Sequence, residues 1–292
     1  MVPANTLSSL LRVIVMQTLK PLASSSLTEV KPILVFSHAN GYPPETYRAL
    51  LEPLVDSFEI YTIEHRPFWS DQHPPTYLPW DQYSADLINT LDAAGGGPVV
   101  LAGHSMGAVI SMQTALARPE LCSKLVVIDP VLVPRGWWFV NQVLMRGLGR
   151  DLPMVTKAQN RPHEFSGYQE AFDFYRSKRP FSGISDEVLW DYVRAGHASR
   201  DDGSIVLRWS GAWEACVYRS APSFMRSLRK IRKPICGIVG DASNVVRPLF
   251  KKRWQRAMPH LELHTLEGGH LIPLEKPDAC SALMRQFLLQ EQ

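Results

Sequence analysis

Between Val99 and Ala117 the chain passes from an apolar run, Val99-Val100-Leu101-Ala102, through Gly103-His104-Ser105-Met106-Gly107 into a segment with helical spacing. The apolar run reads as a buried strand, and Ile110, Thr114 and Ala117 share one face of the helix that follows. This segment constrains the fold most, because a direct strand-to-helix turn strains its central residue and leaves no room for side chains beside it. Glycines at 103 and 107 meet that demand. Ser105 is then raised at the tip of the turn, its hydroxyl at the positive end of a helix and next to the Met106 amide. A serine so placed is a candidate nucleophile.

Four further runs read as strands: Ile33 to Phe36, Leu125 to Ile128, Ile235 to Val239 and Leu261 to Leu266. Between strands lie helical patterns such as Tyr83 to Ala94, with Leu87, Leu91 and Ala94 on one face. Strand alternating with helix implies the α/β class, a mostly parallel central sheet flanked by helices. The stretch 131–232 is far too long for an ordinary strand connection. It is strongly aromatic and contains a helical pattern at Asp186 to Arg194, so it is expected to be an ordered, largely helical cap. The expected organisation is an N-terminal arm over 1–30, a core over 31–130 and 233–292, and the cap over 131–232.

With 292 residues, 45% hydrophobic and 20% charged, the chain has enough material for one large core plus that insertion. Its net charge of +3 is spread rather than gathered into a basic stripe, which argues against a nucleic-acid partner. Cys122, Cys216, Cys236 and Cys280 lie far apart without CxxC spacing, so neither a metal site nor a disulfide framework is expected. Free thiols fit a reducing compartment, and the cytoplasm is the expected location. No apolar run reaches membrane-spanning length, so no stable membrane insertion is expected. The Leu7 to Met16 stretch, short and interrupted by Arg12, makes a poor secretory leader.

A serine hydroxyl needs a base to take its proton, and the base must lie beyond the last strand, where the chain can return it to Ser105. His270, in Leu266-Glu267-Gly268-Gly269-His270, follows the strand pattern ending at Leu266 and precedes a helical pattern from Pro277 to Leu289. His260 and His264 fall before or within that strand and read as surface or packing residues. A tetrahedral intermediate also needs a second backbone donor, from the loop after Ile33 to Phe36, which is Ser37-His38-Ala39-Asn40-Gly41-Tyr42.

The order of these three motifs, a loop beginning with His, a G-x-S-x-G turn and a late Gly-Gly-His, resembles the α/β-hydrolase superfamily over about residues 31 to 290. In particular it is similar to the capped serine-hydrolase branch with esterases and lysophospholipases. In that family the loop usually reads His-Gly-x, and the residue after the pair gives its amide to the oxyanion. The resemblance therefore implies Asn40, with Met106 as the other donor, and Ala39 stands where the family has glycine.

The acid that orients the base has two candidates. The family commonly places it three residues after the glycine that ends the strand Ile235 to Val239, where this chain has Ser243; Asp241 lies two residues early. Some members, haloalkane dehalogenases among them, place it after the preceding strand, where this chain has Asp129. Both positions reach the same edge of the sheet, and Asp129 is preferred, with Asp241 the alternative.

Such a set suits acyl transfer on a small hydrophobic carboxylic ester, with no metal or organic cofactor required. A carbon–carbon bond next to a ketone or a thioester are alternatives for the same residues, and a non-catalytic ligand receptor is an alternative of another class. The aromatic cap is expected to line the pocket, with Trp137 and Trp138 as candidate substrate contacts. The chain is expected to act as a monomer or homodimer.

Overall fold

The computed structural model describes residues 19–21, 31–70 and 73–290. Its central sheet has seven strands, β1 (Leu19–Pro21), β2 (Ile33–Ser37), β3 (Glu59–Ile63), β4 (Val99–His104), β5 (Cys122–Ile128), β9 (Ile235–Gly240) and β10 (Leu261–Leu266), in the order β1-β3-β2-β4-β5-β9-β10. Only β1 runs antiparallel; every other neighbouring pair is parallel. The expected α/β-hydrolase fold, a mostly parallel sheet flanked by helices, is the fold observed.

Alternation along each strand explains why helices cover both faces. Leu34 and Phe36 of β2 join one apolar core and Val35 the other, and Val100 and Ala102 of β4 divide from Leu101 in the same way. The first core receives Met284, Phe287 and Leu288 from the C-terminal helix α9 (Pro277–Leu289). The second receives Leu87 and Leu91 from α1 (Trp80–Ala93) and Val109, Ile110 and Met112 from α2 (Met106–Ala117).

From β2 the chain moves outward to β3, then crosses back to β4 and on to β5, β9 and β10. That reversal places a crevice between the C-terminal ends of β2 and β4, the usual ligand position in an open parallel sheet. β3 was not among the expected strands; Glu59 and Tyr61, only half buried, interrupt its apolar signal. Leu19–Pro21 falls inside the segment expected to be an arm and pairs with β3; the remainder of that arm lies outside the described residues.

Between β5 and β9 lie α3 (Arg135–Gln142), a π-helical turn (Val143–Gly147), α4 (Pro153–Gln159), α5 (Tyr168–Arg176), α6 (Asp186–Gly196) and α7 (Gly211–Arg219). The same stretch holds a small antiparallel sheet of β6 (Glu164–Phe165), β8 (Ile205–Leu207) and β7 (His197–Ser199), in that order. Most of its aromatics form its own core: Phe172 stacks on Trp190 with centroids 4.4 Å apart, and Tyr175, Phe181 and Tyr192 pack together. Helix α8 (Pro248–Ala257) connects β9 to β10. The four cysteines are free and buried. Among the described residues no helix is long and apolar enough to cross a membrane.

Candidate active site

Ser105 has φ 55° and ψ −113°, a strained conformation for a residue other than glycine. Its amide donates to Ile128 O (2.9 Å), which fixes the turn against β5. The two flanking glycines are required by contact: a Cβ on Gly107 would stand 2.0 Å from Ser37 O, and one on Gly103 would stand 2.5 Å from the Gly107 carbonyl carbon. The turn is therefore pressed directly onto the loop after β2.

His270 Nε2 lies 2.9 Å from Ser105 Oγ, and His270 Nδ1 lies 2.9 Å from Asp129 Oδ1. A carboxylate only accepts, so Nδ1 carries the proton and Nε2 is free to accept from the serine hydroxyl. Asp129 follows β5, has φ 41° and is fully buried. Its charge is met by three donors: the imidazole, Ser243 Oγ on Oδ1 (2.6 Å) and the Gly240 amide on Oδ2 (3.1 Å). A buried carboxylate without such donors would be strongly unfavourable.

Ser243 occupies the position where the family resemblance places the acid, and here it donates to Asp129 instead. Its own oxygen accepts from the Val245 and Val246 amides, both 3.1 Å away, which leaves the hydroxyl proton for Asp129. Asp241 is exposed and accepts from the Gly268 amide (3.0 Å). It thus steadies the backbone of the loop that carries His270, as Glu275 does by accepting from the Gly269 amide (2.7 Å).

Met106 opens α2, so its amide has no acceptor within the helix and stands beside Ser105. Asn40 is buried in a turn closed by the Tyr42 amide on Ala39 O (3.1 Å). Its side chain donates to Glu214 O in α7 (3.1 Å). Glu214 in turn pairs with the partly buried Arg161 (2.5 Å), which also donates to Tyr192 (2.7 Å) and Tyr175 (3.0 Å). The Asn40 loop is thereby tied to the segment above it. His38 donates to the Ala39 carbonyl (2.8 Å), and burial pushes its pKa down to about 4, so the ring is neutral.

Sequence reading passed over a second set of contacts. His104 Nε2 lies 2.9 Å from the His270 carbonyl, which only accepts, so Nε2 carries the proton. Nδ1 must then accept from Tyr47 Oη (2.8 Å), and Tyr47 Oη accepts from the Ala39 amide (3.1 Å). Burial, and then the neighbouring His270, hold the His104 pKa well below its ordinary value, so the ring stays neutral. One chain of hydrogen bonds thus joins the Asn40 loop, the serine turn and His270. Removing one member from a buried chain leaves its partners unpaired. Tyr47→Phe and His104→Asn are each expected to lower kcat about tenfold with KM little changed, through misplacement of His270 and the Asn40 loop. Steady-state kinetics beside thermal unfolding separate this from simple loss of folded protein.

Trp137 is 65% exposed, and Trp138 is half buried with an indole N–H that has no partner among the described residues. Neither forms a hydrogen bond or ring contact with Ser105, His270 or Asp129 among the described residues.

Comparison with known proteins agrees with this architecture. Lipase LipV of Mycobacterium tuberculosis is 41% identical over 221 residues, covering 73% of this chain and 78% of that protein. The sn-1-specific diacylglycerol lipase ABHD11 of Mus musculus is 32% identical over 262 residues, covering 88% of this chain and 81% of that protein. Among solved structures, E-2-(acetamidomethylene)succinate hydrolase superposes with a TM-score of 0.75 at 19% identity, over 92% of this chain and 94% of that one, which speaks to the fold alone. The alpha/beta hydrolase family model matches residues 34–283, a span that takes in the Asn40 loop, the serine turn, Asp129 and His270. By fold, by motif order and by that match, the chain belongs to the alpha/beta hydrolase family.

Proposed function

We propose that the protein is a serine hydrolase that cleaves hydrophobic carboxylic esters through an acyl-enzyme. The observation that carries this reading is the unbroken series Ser105 Oγ, His270, Asp129, with both hydrogen bonds at 2.9 Å. His270 Nε2 takes the hydroxyl proton as Oγ attacks the ester carbonyl carbon. Negative charge moves to the carbonyl oxygen, where the Asn40 and Met106 amides receive it. The intermediate collapses, His270 gives its proton to the departing alcohol, and an acyl group remains on Ser105. Water, deprotonated by the same imidazole, then releases the carboxylic acid and restores the serine. Asp129 balances the imidazolium in both halves.

An ester with an apolar acyl chain is supported by the lipase names of the two relatives at 41% and 32% identity. The free, buried cysteines support a reducing compartment such as the cytoplasm.

The test is a panel of p-nitrophenyl esters of increasing acyl length, with an acyl-CoA and a dienoate ketone beside them. The expected result is kcat/KM rising with chain length by roughly 3-fold or more per pair of methylenes over the short members, as apolar surface is buried. Turnover of the thioester or ketone alone would replace the ester reading with one of those activities.

A further inference from the structure

Helix α3 is built the wrong way round for a helix in water. Its one buried residue is the polar Gln142, whose side chain turns inward toward Arg219 O (3.5 Å). Its exposed face carries Trp137, Phe139, Val140 and, just beyond the helix, Val143. Of the ten large apolar side chains that stand exposed among the described residues, six fall within residues 137–154, with Leu148 and Met154 completing the set. Soluble proteins seldom leave so dense an apolar patch uncovered.

Charge indicates what covers it. From Arg135 to Lys157 the sequence holds four bases, at 135, 146, 150 and 157, against one acid, Asp151. Asp151 is already paired with Arg219 (2.6 Å), and Arg135, Arg150 and Lys157 are exposed. In a two-fold dimer the patch would meet its own positive charge. Exposed aromatic and aliphatic side chains interspersed along the chain with arginine and lysine fit a different surface, the headgroup layer of a bilayer that contains anionic lipid.

We propose that the face formed by α3, the π-helical turn and the start of α4 docks this protein on anionic membranes, lying in the headgroup layer without spanning it. Docking there bears on the site directly, because α3 begins six residues after Asp129, on the edge of the sheet where Ser105 and His270 meet. A lipid-borne substrate would then approach from the membrane side. The inference goes beyond the ester reading, and it holds whatever bond Ser105 cleaves.

The experiment uses the full chain as Ser105→Ala, so that no lipid is consumed, in co-sedimentation with phosphatidylcholine vesicles made with and without phosphatidylglycerol. The expected result is binding to the phosphatidylglycerol vesicles that weakens with salt and falls about fivefold for each of Arg135→Gln and Arg150→Gln. Phe139→Ser combined with Val143→Ser lowers binding by about tenfold or more. Both side chains are exposed, so the unfolding temperature and short-ester hydrolysis of the same pair on the active background stay unchanged. No binding to either vesicle, equal binding by the double variant, or a dimer in sedimentation velocity that the double variant dissolves would each overturn the inference.

Discussion

Ser105→Ala is expected to lower kcat by about a millionfold, to a residue of activity that the amides of Asn40 and Met106 and substrate binding alone sustain. The size of the loss follows from the order of events. Without Oγ there is no acyl-enzyme, His270 has no hydroxyl to deprotonate, and the hydrogen bonds to His270 and Asp129 organise a site with nothing to activate. KM is expected to change little, since the hydroxyl touches substrate only at the reacting carbon. The change is also a clean one for the fold: alanine removes a single oxygen from a turn whose strain is set by the backbone and by Gly103 and Gly107. A thermal transition within a few degrees of wild type, together with loss of labelling by an acylating or phosphonylating reagent, completes the measurement. Turnover that survives the substitution would remove Ser105 from the mechanism.

What the sequence revealed and what it concealed divide along a physical line. The serine turn was legible because its demands are local: two glycines at fixed spacing answer a steric conflict between the turn and the adjacent loop, seen here as a 2.0 Å clash for any Cβ at Gly107. His270 was legible for a related reason, as a histidine in a glycine-rich loop just past the last strand. Hydrogen bonds between distant segments leave no spacing signature. Tyr47, His104 and Ser243 make their contacts across gaps of 57, 166 and 114 residues, and each looks ordinary in its own neighbourhood. The inverted character of α3 was hidden differently. The pattern Trp137-Trp138-Phe139 states that a face is apolar but not which way it turns, and an aromatic cluster in a cap reads first as pocket lining. The structure turns Phe139 and Val143 outward and Gln142 inward.

The acid is where sequence reading left two residues standing, and there the expected outcome is sharpest. Asp129→Asn should lower kcat about 10⁴-fold near neutral pH, whereas Asp241→Asn should cost no more than a fewfold. The difference lies in what each carboxylate touches. Asp129 accepts from the His270 imidazole, from Ser243 and from the Gly240 amide. An asparagine there has one oxygen for three donors. With its NH2 toward His270, the ring is pushed into the tautomer whose Nε2 carries hydrogen and cannot accept from Ser105. With its NH2 toward Gly240, the tautomer is kept, but an N–H faces an N–H, and no negative charge remains to balance the imidazolium. The Asp241 carboxylate accepts from the Gly268 amide and stands in solvent, where an asparagine oxygen accepts the same bond. Ser243→Ala separates the two sites further: it withdraws one donor from Asp129 and nothing from Asp241, and kcat should fall by about tenfold. Ranked losses of Asp129→Asn, then Ser243→Ala, then Asp241→Asn follow from the acid at the end of β5; the reverse ranking would move it to the end of β9.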